Sequence, residues 1–160
     1  MKRSIPLLLS FILISPFARS QKEKSFQVLS PDQKIRVSLS TGMQTTWSVS
    51  YSDMPVISPS AISLTLDSKE VLGQNTKVLS AKQEHISNRI STPFYKKQTV
   101  DDTYNQLTIT FKGNYGVIIR VYNDGAAYRF FTKRSGELTI LSEEATFNFD
   151  KDYKALIPYI

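Results

Sequence analysis

Apolar and polar residues alternate with a period of two along most of this chain, and this alternation restricts the fold more than any other feature. Successive side chains of an extended strand point to opposite faces, so alternation sorts them into a buried face and a wetted one. From Phe26 onward the pattern recurs in short runs separated by turn residues, the spacing expected of a sandwich or barrel. Phe26-Gln27-Val28-Leu29 is a first run, closed by Ser30-Pro31-Asp32-Gln33. Ile35, Val37 and Leu39 alternate with Lys34, Arg36 and Ser38, and Thr41-Gly42 turns the chain. Trp47, Val49 and Tyr51 alternate with serines before a turn expected at Asp53-Met54-Pro55. Ile62, Leu64 and Leu66 form another strand, and residues 76–90, polar and irregular, read as a long edge strand or a loop. Residues 104–111, 115–122, 126–132, 138–141 and 145–149 supply the remaining runs. No window past residue 20 holds i, i+3, i+4, i+7 spacing over a helical length, and no repeat or interdomain linker is present. The expected fold class is all-β, an antiparallel β-sandwich.

Residues 1–20 have a different make-up. Lys2 and Arg3 precede a nearly continuous apolar run from Ile5 to Ile14, and Ala18-Arg19-Ser20 puts small residues where a signal peptidase reads. The run is shorter than the roughly 20 residues a membrane span needs, which leaves a retained short anchor as the weaker alternative. The expected organisation is a signal peptide over 1–20, cleaved after Ser20, and one β domain over 21–160. Location would then be periplasmic or secreted, with no membrane association once the signal is removed. The sequence has no cysteine, which excludes a lipid-bearing cysteine, disulfides, thiol catalysis and thiolate-bound metals. A remainder of this length buries a sizeable core without such staples. Three of the 20 basic residues leave with the signal, so 17 face 14 acidic ones and the net charge falls from +6 to +3. The remaining cations are scattered, whereas nucleic-acid binding gathers them on one face. No nucleic-acid partner is expected.

The strongest local signal is Asn123-Asp124-Gly125 between two apolar runs. Asp-Gly tolerates positive φ at both positions of a tight hairpin turn. With Asp124-Gly125 as that turn, Val121 faces Tyr128, Ile119 faces Phe130, and Arg120 stands opposite Arg129. One face would carry Val117, Ile119, Val121, Tyr128 and Phe130. Like charges directly opposite are unfavourable unless a carboxylate or solvent intervenes, so the register is the weaker part of this reading.

Catalysis requires titratable groups that converge. His85 is the only histidine and lies in the polar 76–90 stretch with no evident partner, as a surface residue would. Asp101-Asp102 and Glu143-Glu144 could suggest paired carboxylates, but neighbours on a strand point apart. Asp101-Asp102 reads instead as a turn with local charge pairing. Asp150-Lys151-Asp152 lacks the glycine and glutamate of a calcium loop, and neither a nucleophile elbow nor a phosphate-cradling glycine loop occurs. The aromatics Trp47, Tyr51, Phe94, Tyr95, Tyr104, Tyr115, Tyr122 and Tyr128 could stack on sugars, though strand spacing assigns them mainly to the core. No catalytic, cofactor-binding or metal-binding residue is assigned, and carbohydrate contacts stay unassigned.

Four segments together resemble the N-terminal domain of glycoside hydrolase family 97, bacterial α-glucosidases and α-galactosidases. They are Leu29-Ser30-Pro31-Asp32 with Lys34-Ile35-Arg36-Val37; Trp47-Ser48-Val49-Ser50-Tyr51; the run from Tyr104 to Phe111; and the run from Arg120 to Phe130 around Asn123-Asp124-Gly125. Phe147-Asn148-Phe149 and Asp152-Tyr153-Lys154-Ala155 follow in order. The resemblance implies a galactose-mutarotase-type sandwich, here incomplete, that packs against a catalytic (β/α)₈ barrel and helps to wall its pocket. It also implies α-linked oligosaccharides as substrates and calcium as a cofactor of the whole enzyme, with the catalytic carboxylates on the barrel. This chain alone would be inactive. A free-standing carbohydrate-binding module and a β-sandwich interaction protein are the alternatives.

Overall fold

A computed structural model describes residues 23–93, 96 and 98–154. The signal segment, Phe94, Tyr95, Lys97 and residues 155–160 lie outside them. Ten strands follow in order: β1 (Lys24–Leu29), β2 (Ile35–Thr41), β3 (Thr46–Tyr51), β4 (Met54–Leu66), β5 (Val71–Leu72), β6 (Val78–Ser91), β7 (Thr99–Phe111), β8 (Tyr115–Val121), β9 (Ala126–Thr132) and β10 (Ile140–Ala145). No helix occurs among the described residues.

The strands form two antiparallel sheets. Sheet I runs β1-β2-β3-β4-β10 with β5 paired to β4, and sheet II runs β6-β7-β8-β9. Alternation does the sorting: β2 reads buried at Ile35, Val37, Leu39 and Thr41 and half-exposed between them. β8 does the same at Val117, Ile119 and Val121. These faces meet in one core that also takes in Trp47, Ile62, Leu66, Leu107, Ile109 and Phe111. Fully burying one such aliphatic or aromatic side chain stabilises the fold by about 1.5–3 kcal/mol, so the inter-sheet core carries the architecture. The sequence's antiparallel sandwich is the fold observed.

Several boundaries differ from the sequence reading. The polar 76–90 stretch is largely an edge strand: thirteen of the fourteen residues of β6 pair with β7, with an irregularity at Leu79. Asp101 and Asp102 lie within β7 rather than in a turn. The β3–β4 turn falls at Ser52-Asp53, both with positive φ, and Pro55 is already inside β4 opposite Ser50. A strand covers residues 140–145, between the two runs expected at 138–141 and 145–149.

The β8–β9 hairpin forms with a shifted register. Tyr122 N–H donates to the Gly125 carbonyl at 2.8 Å, which makes Asn123-Asp124 the turn instead of Asp124-Gly125. Neither these residues nor Gly125 has positive φ. Val121 pairs with Ala126, Ile119 with Tyr128 and Val117 with Phe130. The slip of one residue on each strand preserves parity, so the expected apolar face survives while the partners change. Arg120 now faces Ala127, and Arg129 faces Ile118, which removes the direct arginine–arginine pair.

Candidate functional site

The candidate catalytic groups do not converge. His85 is exposed, and its Nδ1–H donates to Asn105 Oδ1 at 2.7 Å, so it has the partner the sequence did not reveal. Asp101 pairs with Arg89 at 2.9 Å on the surface. Glu144 accepts a hydrogen bond from Ser63 Oγ at 2.9 Å, and Asp150 accepts one from Tyr153 Oη at 2.7 Å. Among the described residues no three His, Asp or Glu side chains gather closely enough to hold a metal ion. Trp47 and Tyr115 are buried in the core, as strand spacing implied, whereas Tyr104 is buried outside that core and Tyr51 is exposed.

The residues that stand out by sequence instead join the sheets at one flank. Asn105 sits on β7 and donates from Nδ2 to the Leu29 carbonyl of β1 at 2.7 Å, while its Oδ1 takes the His85 proton. Gln83 on β6 donates to the Gln27 carbonyl at 2.6 Å. Two outward carbonyls of edge strand β1 are thus capped by side-chain amides from the opposite sheet. At the hairpin tip, Asn123 Oδ1 accepts the Asp32 N–H at 3.0 Å. Asp32 in turn accepts from Ser30 Oγ at 2.6 Å, which holds its carboxyl below the usual range. A bare sheet edge invites further pairing, and these contacts close one.

A second cluster lies on the outer face of sheet II. The Arg120 guanidinium stacks 4.6 Å from the centre of the Tyr104 ring, and its Nε donates to Gln106 Oε1 at 2.9 Å. Tyr122 packs against Tyr104 with centroids 4.9 Å apart. Burial, and then the nearby Asp102 charge, push the Tyr122 hydroxyl pKa upward. A shallow depression of about 220 Å³ is lined by Ile118, Arg120, Tyr122, Ala127, Tyr128 and Arg129. This face offers arginine and tyrosine to a partner but holds no acid–base pair.

The far flank is open among the described residues. β9 and β10 end their sheets, and a cleft of about 300 Å³ between them is lined by Leu64, Leu66, Leu72, Phe130, Leu138 and Ile140 among others. Ile140 stands opposite Leu66, on the inner side, yet remains 54% exposed. Tyr128 packs edge-on against Trp47 at 5.1 Å, and burial followed by the Glu143 charge raises its hydroxyl pKa. Beside this cleft, Arg134 joins the segment after β9 to Glu70 with two bonds, at 2.6 and 2.7 Å.

Fold and surface therefore define a β-sandwich module whose chemistry-bearing side chains serve its own architecture, with one flank sealed and one open. Residues 28–160 match the family described as Glycosyl-hydrolase 97 N-terminal, and the chain belongs to that family. It is 32% identical over 140 residues to a retaining alpha-galactosidase of Bacteroides thetaiotaomicron, covering 88% of this chain and 21% of that protein. A family 97 enzyme from Pseudoalteromonas sp. strain K8, solved with panose, shares the fold at a TM-score of 0.69 and 24% identity, over 78% of this chain and 20% of that one. A beta-arabinopyranosidase aligns at a TM-score of 0.70 and 22% identity, over 78% and 21%. The chain thus spans about a fifth of the length of these relatives.

Proposed function

We propose that this chain is the N-terminal sandwich of an exported family 97 glycosidase acting on α-linked oligosaccharides, and that it serves there as non-catalytic scaffold. It packs against a catalytic (β/α)₈ barrel and helps to wall the sugar pocket. The observation that carries this reading is the pairing of family membership with a titratable set that nowhere converges among the described residues. The alpha-galactosidase relative supports the substrate class, and its length supports a separate catalytic portion. Calcium, implied for the whole enzyme by the family resemblance, would take most of its ligands from the barrel, with at most an acidic side chain lent by this domain; no three His, Asp or Glu gather among the described residues. No step is routed through it. Location is periplasmic or secreted, and an intact mass beginning at Gln21 checks cleavage after Ser20.

The test is turnover by the purified chain. Nitrophenyl α-galactoside and α-glucoside should remain unhydrolysed at high protein concentration. Hydrolysis by the chain alone would overturn the scaffold reading. Calorimetric titration with millimolar α-linked oligosaccharide should show no saturable heat, and saturable binding would favour a free-standing carbohydrate-binding module.

A further inference from the structure

We propose that the outer face of sheet II binds the carboxylate of an acidic sugar residue, a hexuronate, between Arg120 of β8 and Arg129 of β9. This goes beyond the scaffold reading and does not depend on it, since the groups involved all lie on the β8–β9 hairpin and its neighbour β7.

The strand register sets the two cations together. Arg120 stands opposite Ala127 and Ile118 opposite Arg129, so the arginines are diagonal neighbours on the face turned away from the core. Diagonal cross-strand neighbours lie about 7–8 Å apart, within reach of two long side chains, and like charges so placed repel. Neither β8 nor β9 contains an acidic residue. On the strands beyond, Glu84 is taken up by Lys82 at 2.7 Å, and Asp102 acts on the Tyr122 hydroxyl at the Arg120 end. Arg129 is exposed and forms no ion pair among the described residues. A ligand carboxylate supplies the counter-charge that these two strands lack.

Arg120 is held in place before any ligand arrives. Its guanidinium stacks 4.6 Å from the centre of the Tyr104 ring and its Nε–H donates to Gln106 Oε1 at 2.9 Å, which leaves the terminal N–H groups for Tyr122 and a further acceptor. A guanidinium fixed by stacking loses little freedom on meeting a carboxylate, and the planar pair can form two parallel bonds. Both arginines line one depression of about 220 Å³, together with Ile118, Ala127 and Tyr122. The short Ala127 side chain opposite the long Arg120 leaves that space open. The volume suits one sugar ring and falls short of the roughly 300–1,000 Å³ of sites that enclose larger ligands. An acidic peptide side chain would use the arginines and leave Ile118 and Ala127 uncovered. A pyranose lays its apolar C–H face on those residues and on the Tyr122 ring while its carboxylate meets the cations. A neutral α-linked sugar lacks the charge that the arginines require.

The probe is methyl α-glucuronide, compared at low salt with methyl α-glucoside, acetate and a capped diglutamate peptide. Each is titrated into the chain and followed by the amide resonances of Ile118, Arg120, Ala127 and Arg129. The glucuronide should shift these resonances and bind at least about tenfold more tightly than the glucoside, acetate or the peptide, and added salt should weaken it. Arg129→Gln, at an exposed position, should weaken glucuronide binding at least about tenfold without lowering the melting temperature. Ala127→Leu should fill the depression and remove the preference for glucuronide over acetate. The proposal is overturned if the glucuronide fails to saturate, if the glucoside matches it, or if either variant leaves its binding unchanged. Equal binding by acetate would overturn it in favour of a bare anion contact, and equal or tighter binding by the peptide in favour of an acidic partner protein. Failure of the scaffold reading shows separately, as turnover by the chain alone.

Discussion

Replacing Asn105 with leucine tests whether the sealed flank rests on a single amide. The side chain bridges three strands, donating to the Leu29 carbonyl of β1 and accepting from His85 of β6, both at 2.7 Å. Leucine keeps the volume and removes both bonds. A hydrogen bond in a folded protein contributes about 0.5–1.5 kcal/mol net, and a stranded carbonyl costs more only where water cannot reach it. Leu29 belongs to an edge strand, so part of the loss is recovered by hydration, and Asn105→Leu should destabilise by about 1–2 kcal/mol. With a urea slope near 2 kcal/mol per molar, the midpoint should fall by about 0.5–1 M. His85→Ala removes only the exposed bond and should cost no more than about 0.5 kcal/mol. Amide exchange in β1 should accelerate before that of β8, because the lost contact anchors β1 locally. A change below about 0.5 kcal/mol in Asn105→Leu would show that the flank is held by packing alone, and an equal cost in His85→Ala would move the effect from the Leu29 bond to the His85 one.

Two glycines should behave in opposite ways. A Cβ on Gly116 would press on the Ile109 carbonyl oxygen and lie 2.6 Å from Phe131 Cζ, so Gly116→Ala should lower thermal stability by about 1–3 kcal/mol. Gly125 has no atom within 4 Å of its Cβ position and no positive φ, so Gly125→Ala should be neutral or stabilise by about 0.4–1 kcal/mol in the same melt. The Arg134–Glu70 clamp should weaken in acid. Its hydrogen bond holds Glu70 below the ordinary value of 4.5, so the contribution is complete above that pH and disappears as pH falls through the lower folded value. The stability gap between wild type and Glu70→Gln, about 0.5–1 kcal/mol near pH 6 for a half-exposed pair, should close on titration toward pH 3. A gap independent of pH would remove the ion pair from the account.

The strands were legible wherever one face is buried. In β2, β7 and β8 the apolar set recurs at every second residue because sheet II lies against sheet I, and period-two reading finds them directly. β6 was harder to read. Both of its faces are largely exposed, so its sequence bears no burial pattern and its strand character comes from thirteen residues paired with β7. β10 was displaced for a related reason: Ile140, Leu141 and Phe147 look like core residues in sequence, yet they are 54%, 63% and 52% exposed at the open flank.

Turn chemistry misled in two opposite ways, and the reason bears on what the family motif does. Asp124-Gly125 offers the two residues best suited to positive φ, but the hairpin turns one residue earlier at Asn123-Asp124 without it. Ser52-Asp53 has no glycine, yet both residues adopt positive φ, with Asp53 held by Arg36 at 2.8 Å. Local propensity is worth at most about 1 kcal/mol, and a tertiary contact of similar strength overrides it. At the hairpin tip that contact is Asn123 Oδ1 taking the Asp32 N–H, which ties the β8–β9 turn to the β1–β2 turn. Asn123 therefore serves as a tie between sheets, and placing it at the corner of the turn is what moves the register. The same holds for Asn105 on Leu29, whereas Arg120 over Tyr104 joins neighbouring strands of sheet II. Three of the four segments that make the family recognisable, those around Leu29-Asp32, Asn105 and Asn123, lock one flank of the sandwich. They leave the opposite flank, β9 and β10, open among the described residues.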